Sequence, residues 1–349
     1  MQFVPGPGAA SRRQTRRPAS EGRRRSQSYV EARAQSATQY EGGWRSRTLN
    51  LHERSGLVMR VAIASGKGGT GKTTVTASLA KVWPGPLTAV DMDVEEPNLH
   101  LFLKPDLPHS EQALMEVPQA DEDLCTACGA CSELCQFKAI SLLGETLLVF
   151  PDMCHGCGGC FRVCPAGALT PASRELGEVL WGKADNLGFV MGRLRVGEAM
   201  SPPLMRAVNQ RLETMLAREP GDILIDAPPG VSCPAVSAVS GADLVLLVTE
   251  PTPFGLFDLR LAHQAFTPLG MPMGVVINRA GLGDDQVQEY CRRTGLPLLA
   301  EIPFDPEAAS AYAQGQVLAQ AMPAMEKIFK NLAAALPALA NSFPEASHA

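Results

Sequence analysis

Eight of the ten cysteines lie between Cys125 and Cys164, in two runs of identical spacing. The first is Cys125-x2-Cys128-x2-Cys131-x3-Cys135 and the second is Cys154-x2-Cys157-x2-Cys160-x3-Cys164, followed by Pro165. Three closely spaced thiolates can wrap one iron–sulfur cubane while the fourth reaches a neighbouring one. Thiolate is also the soft ligand that such clusters need. The spacing predicts one 4Fe–4S cluster on Cys125, Cys128, Cys131 and Cys164, and a second on Cys154, Cys157, Cys160 and Cys135. Gly129, Gly156, Gly158 and Gly159 allow the tight turns this requires. Zinc sites usually take two spaced cysteine pairs instead of two runs of four. Gln136 stands where a proline often follows the fourth cysteine, whereas the second run keeps Pro165. His155, inside the second run, reads as an exposed loop residue.

A second chemical pattern is Gly66-Lys67-Gly68-Gly69-Thr70-Gly71-Lys72-Thr73. It matches the phosphate-binding G-x-x-x-x-G-K-S/T loop, between a strand-like run and a helix-like one. Backbone N–H groups freed by the glycines converge on phosphate oxygens, and the helix amino terminus adds partial positive charge. Lys72 is expected to reach the β- and γ-phosphates of ATP and the Thr73 hydroxyl to ligate Mg²⁺. Thr74 belongs with these nucleotide contacts. A chance match arises in about 1 in 100 chains of this length.

These groups need elements to hold them. Val61–Ser65, Leu87–Val90, Ile223–Ile225, Leu244–Val248 and Gly274–Ile277 are short apolar runs read as buried strands. Lys72–Val82 and Arg206–Ala217 read as helices. Continuous apolar strands alternating with helices imply an α/β fold, a mainly parallel sheet with helices on both faces. Two of the strands end in aspartates, Asp91 (with Asp93 beyond it) and Asp226, at the sheet edge where ligands gather. The cysteine-rich segment, residues 121–170, interrupts this alternation as an inserted module. Strand-like pieces on either side of Asp185-Asn186 suggest a hairpin that serves as its exit.

The loop form G-K-G-G-x-G-K-T resembles the deviant Walker A motif of the MinD/ParA and nitrogenase iron protein superfamily. Asp91-Met92-Asp93 resembles its switch I, and Asp222-Ile-Leu-Ile-Asp226-Ala-Pro-Pro-Gly230 its Walker B strand and switch II. The resemblance implies an ATPase that dimerises with ATP at the interface. In it Lys67 acts on the partner's nucleotide, one of Asp91 and Asp93 orients the attacking water while the other supports Mg²⁺ or the switch, and Asp226 holds a Mg²⁺-bound water. It also implies that Asn278 pairs with adenine and that Pro303 and Asp305 belong to a loop packed on the base. An ordinary asparagine cap and proline turn read equally well there. The cysteine runs carry the spacing of bacterial two-cluster ferredoxins. The combination is similar to MinD-superfamily ATPases with an inserted ferredoxin-like α+β domain, related to Mrp-type ATPases. Cys233 follows Asp226 at a distance similar to that of a cluster cysteine in the nitrogenase iron protein. A buried free thiol is the default for it, and Cys291 reads as helical and distant.

The organisation that follows is a tail (1–58), a first ATPase part (59–120), the two-cluster insert (121–170) and a second ATPase part (171–349). Net charge is −5 overall, but residues 1–58 hold eleven arginines against four acids, a net of +7 that leaves −12 for the rest. An acidic body carries no nucleic-acid footprint. The tail has few large aliphatics and cannot offset its ordering entropy. Met59 opens an apolar strand and is expected to be the natural start. Ser11-Arg12-Arg13-Gln14-Thr15 resembles a twin-arginine signal without the apolar stretch that must follow. A cytoplasmic chain with reduced thiols is therefore expected. No apolar run is long enough to span a membrane, and the amphipathic Met325–Ala333 stretch is expected to pack on the sheet. Three functions remain open. One is nucleotide-gated electron transfer to a redox partner; the second is assembly or carriage of metal cofactors; the third is spatial positioning of the MinD kind.

Overall fold

The short apolar runs line up side by side in the computed structural model, which describes residues 58–342. Apart from Val58, the expected tail lies outside the described residues. In chain order the elements are β1 (Arg60–Ala64), α1 (Lys72–Val82), β2 (Leu87–Asp91), α2 (Leu99–Leu103), β3 (Asp106–Ala120), α3 (Ala130–Leu134), β4 (Ile140–Leu143) and β5 (Thr146–Val149). Then come α4 (Gly159–Val163), β6 (Leu169–Ala184), β7 (Leu187–Leu194), α5 (Ser201–Leu216), β8 (Asp222–Asp226), α6 (Cys233–Val239), β9 (Leu244–Thr249) and α7 (Pro253–Phe266). The chain ends with β10 (Met273–Ala280), α8 (Gln286–Thr294), β11 (Leu298–Pro303), α9 (Pro306–Ala313), α10 (Leu318–Ala321) and α11 (Pro323–Ala340).

One nine-stranded sheet carries the fold, in the order β11-β10-β9-β1-β8-β2-β7-β6-β3. From β11 to β7 every neighbouring pair is parallel. Successive side chains of a strand point to opposite faces, and β1 shows the result. Val61 and Ile63 join one core with Val75 and Leu79 of α1 and Met325, Phe329, Leu332 and Leu336 of α11. Ala62 and Ala64 join the other, with Leu204, Val208 and Leu212 of α5 and Leu256 and Leu259 of α7. The amphipathic carboxyl-terminal stretch is therefore core, as expected. Among the described residues no helix is long and apolar enough to cross a membrane.

The structure departs from the sequence reading at the insert's borders. The hairpin on Asp185-Asn186 exists, but it is not only the module's exit. Its second strand, β7, is a parallel member of the main sheet beside β2. Its first strand, β6, runs on to Leu169 and pairs antiparallel with β3 along nearly its whole length. β3 was not legible as a strand. Pro108 and Pro118 interrupt it, which an edge strand tolerates because a proline has no N–H to give. Helix α5 starts at Ser201, five residues ahead of the expected Arg206, because Pro202 and Pro203 fit a first helical turn whose N–H groups need no partners.

Between β3 and β6 the insert holds the β4–β5 hairpin and two short helices. Each helix starts after a left-handed glycine, Gly129 (φ 78°) or Gly158 (φ 69°), and carries the third cysteine of its run. Each ends on the fourth, Cys135 or Cys164.

Phe329 is fully buried, and Phe329→Ala is expected to destabilise the protein by about 3–5 kcal/mol. Denaturant titration checks this. Unchanged stability would mean that α11 is not part of the core.

Candidate functional site

The loop between β1 and α1 sits at the carboxyl ends of the parallel strands. Gly71 adopts a left-handed conformation (φ 97°), and a Cβ there would stand 2.3 Å from Asn278 Nδ2. Only glycine meets both conditions. At Gly66 a Cβ would fall 2.0 Å from the Asp258 carbonyl oxygen, so α7 presses directly on the loop. The Thr70 hydroxyl, within this loop, is buried with no hydrogen-bond partner among the described residues. Gly69 also has positive φ, and Gly68 approaches Pro229 of the Asp226–Gly230 segment. Gly230 N–H donates to the Ser65 carbonyl at 2.9 Å, which ties that segment to the loop.

Lys72, Asp91, Asp93 and Asp226 come together as expected. Asp91 and Asp226 are register partners on β2 and β8, and both are buried. Thr73 Oγ1 donates to one Asp226 oxygen at 2.6 Å and Thr76 Oγ1 to the other at 3.2 Å. Burial pushes the carboxyls of Asp91 and Asp226 above their ordinary range, and the Asp226 charge adds to the effect on Asp91. Burial likewise pulls the Lys72 ammonium down, against the opposing pull of Asp226, Asp93 and Asp91.

The structure separates the two switch aspartates. Asp91 accepts backbone N–H bonds from Asp93 (3.1 Å), Asn98 (3.0 Å) and Leu99 (2.9 Å). It thus folds the segment and caps the entry to α2. Asp93 is only partly buried. Burial, with Asp226 and Glu95 nearby, moves its carboxyl up to about 6, against the pull of the Glu96 N–H bond and Lys72.

Lys67 pairs with Glu250 of its own chain at 3.3 Å. Glu250 is also held by Arg279. Sequence reasoning missed Glu250; the signal it left was a charged residue directly after the fully buried strand β9. Thr74 lies buried in the first turn of α1. Asn278 reaches the loop, but its amide donates to the Thr70 carbonyl at 2.9 Å. Pro303 ends β11, and Asp305 caps α9 by accepting from Glu307 N–H at 2.7 Å. Asp305 therefore acts as a helix cap, a role that the sequence reading did not give it.

In the insert the two cysteine runs interleave. Burial raises the Cys131 thiol, and the charges of Cys164 and Cys128 add to that. Burial carries Cys160 to about 11, with Cys157 and Cys154 contributing. Cys135, from the first run, packs against the cluster containing Cys154. Backbone N–H groups point at sulfur: Gly156 at Cys154 (3.4 Å) and Ala168 at Cys164 (3.3 Å). Among the described residues no three His, Cys, Asp or Glu side chains converge on a single-ion site. A cubane takes its thiolates at separate corners, so its ligands do not meet at one point. His155 stacks on Phe137 with ring centroids 3.5 Å apart. Cys233 is exposed at the start of α6 rather than buried, and Cys291 is buried in α8 with its thiol pushed up to about 11 by burial.

The CobQ/CobB/MinD/ParA nucleotide binding domain family matches residues 61–318. The chain belongs to this family. An uncharacterised protein of Methanocaldococcus jannaschii is 35% identical over 234 residues, 66% of this chain and 81% of that one. An iron-sulfur cluster carrier protein of Aquifex aeolicus is 27% identical over 158 residues, 40% of this chain and 43% of that one. The cell division ATPase MinD of Pyrococcus furiosus superposes with a TM-score of 0.52 at 24% identity, covering 81% of this chain and 100% of that chain. This last likeness establishes a shared fold. The chain is thus a P-loop ATPase of MinD/ParA type.

A Cβ at position 71 would collide with Asn278 and stand in a left-handed conformation that costs about 1–2 kcal/mol. Gly71→Ala is expected to weaken nucleotide binding at least tenfold in equilibrium titration. Unchanged affinity would show that this loop does not form the phosphate cradle.

Proposed function

We propose that this ATPase binds MgATP at the P-loop and couples its hydrolysis, in a homodimer, to electron transfer through two 4Fe–4S clusters held by residues 121–170. The observation that carries this reading is the interleaving of the cysteine runs. Cys164 stands by Cys131, and Cys135 packs between the surroundings of Cys131 and those of Cys154. Such mixing of the two runs supports an exchange of fourth ligands between two neighbouring cubanes. Cys125, Cys128, Cys131 and Cys164 would hold one cluster, and Cys154, Cys157, Cys160 and Cys135 the other. Bound there, the clusters supply one-electron storage. The backbone N–H groups of Gly156 and Ala168, aimed at Cys154 and Cys164, stabilise sulfur charge, while the aliphatic side chains around the thiolates keep water away.

At the other end, Lys72 neutralises the β- and γ-phosphates. Thr73 and Asp226, already in contact, would hold Mg²⁺, which would neutralise phosphate charge. Asp93 takes a proton from the attacking water as its oxygen bonds to the γ-phosphorus and the bridge to ADP breaks. Asp91 holds the segment that presents Asp93. Lys67 leaves Glu250 and reaches the partner's phosphates, a charge aimed at the transition state.

The Aquifex carrier similarity favours a second reading, in which the same chain assembles or carries iron–sulfur clusters. The two part cleanly. Electrons passing from reduced protein to an acceptor only with MgATP support the first. Labelled iron moving intact to an apo-protein supports the second.

Protein purified without oxygen is expected to hold about eight irons per chain, and Cys131→Ala about four. Lys72→Ala is expected to lose nucleotide affinity, and Lys67→Ala to bind ATP without hydrolysing it. Iron absent from the wild type, or zinc in its place, would overturn the cluster reading.

Asp93 must be ionised to accept a proton. Its raised value therefore predicts that kcat/KM for MgATP falls about tenfold per pH unit below about 6. Asp93→Asn is expected to remove most of the rate and this acid limb with it. A rate that is flat across that range would exclude Asp93 as the base.

A further inference from the structure

The two cysteine sets are not equivalent. The first, through Cys131 and Cys164, lies wholly in a small core made from the insert and the ends of the ribbon that frames it, with Ile140, Leu169, Leu147 and Val149, a core that Cys135 and Cys160 of the second set also touch. The second reaches the ATPase body. Cys154, with Cys135 beside it, packs against Met115 and Val117 of β3, Leu176 of β6, Leu194 at the end of β7 and Met200 at the entry to α5. Gly156, between Cys154 and Cys157, lies so close to β3 that a Cβ would stand 2.9 Å from Met115 Cγ.

A buried polar chain runs along the same contact. Arg174 of β6 is 8% exposed, and one of its amino groups meets Glu198, 5% exposed, at 2.5 Å. Its other amino group donates to the Pro151 carbonyl at 2.5 Å and faces Asp152 at 3.6 Å, in the turn that leads into Cys154. The second oxygen of Glu198 accepts from Ala199 N–H (3.0 Å) and Met200 N–H (2.9 Å), the residues just ahead of α5. Ser201, the first residue of α5, donates its hydroxyl to Glu95. Glu95 lies two residues from Asp93, and Val94 between them accepts Leu194 N–H at 2.9 Å. Every link from the Cys154 turn to the switch segment is thus a direct hydrogen bond, an ion pair or a covalent step.

We propose that Arg174 and Glu198 are positioning residues that transmit the state of residues 91–98 to the turn carrying Cys154, so that nucleotide acts on the second cysteine set and not on the first. This rests on the coupled-ATPase reading above and names the part of the insert that feels the switch. The physical reason is that a buried ion pair resists being pulled apart: a gap would leave two unpaired charges in a poorly solvated place. When Glu95 moves, α5 and Glu198 follow through Ser201. Arg174 follows Glu198, and the Pro151–Asp152 turn follows Arg174.

Hydrogen–deuterium exchange on the full chain, purified without oxygen, with MgADP and with a non-hydrolysable MgATP analogue, tests the idea. In wild type the exchange rates of 91–98 and 151–158 are expected to differ at least about fivefold between the two nucleotides, while 122–131 stays unchanged. Glu198→Gln keeps an acceptor for Ala199 and Met200 but loses the charge, and Ser201→Ala cuts the link to Glu95. Both are expected to keep the nucleotide difference at 91–98 and lose it at 151–158. Loss of stability alone would speed exchange with both nucleotides and leave the difference intact. A 151–158 difference that survives both variants, or an equal one at 122–131, overturns the proposal. So does a wild type in which 91–98 responds and 151–158 does not. If neither segment responds in wild type, the nucleotide switch itself fails, and the coupling fails with it.

Discussion

Two carboxylates buried side by side on neighbouring strands constrain the rest of this molecule. Asp91 and Asp226 are register partners with almost no exposure, and like charges so placed raise each other's proton affinity. The fold tolerates them by surrounding each with donors: three backbone N–H groups for Asp91, two threonine hydroxyls for Asp226. Lys72 supplies a positive charge from the next element, at a cost to its own protonation. A site in this condition favours a divalent cation and a polyanion arriving together. The parallel sheet is what makes the pairing possible, because it brings two strand ends to one edge beside a helix amino terminus.

The same sheet determines where a cysteine module can be attached. Its central strands are covered on both faces by helices, so the added chain enters at the edge, through β3 and β6. That places Cys154 and Cys135 in one packed group with the end of β7 and the entry to α5. The aspartate pair, on β2 and β8, and the module, on β3 and β6, are therefore joined through β7, the strand between them.

Much of this was legible in the chain, and the legible parts share a property. The phosphate loop and each cysteine run are marked by residues close in sequence, so spacing reports them, and the aspartates were legible because each ends an apolar strand-like run. What escaped depends on residues that meet only after folding. Glu250 matters because Lys67 touches it. Arg174 and Glu198 look like ordinary surface charges until β6 and the entry to α5 bury them together. The division of labour between Asp91 and Asp93 is decided by the turn from Asp93 to Leu99, which no periodicity announces. β3 was hidden by its two prolines and by a mostly exposed face, so it offered neither a buried run nor a clean alternation.

The ribbon that frames the insert has one more consequence. Ala120 and Leu169 are cross-strand partners, and Asp121 N–H donates to the Ala168 carbonyl at 2.8 Å. The insert therefore leaves and re-enters the sheet one strand-spacing apart, a gap that a two-residue turn could bridge. Because the ribbon already holds the ends together, the sheet meets almost none of the closure entropy of the long intervening segment. In evolutionary terms such a junction is a socket. A plain β-hairpin in an ancestral ATPase could exchange its tip for a cysteine-rich module, or shed one, without any strand of the sheet changing its register.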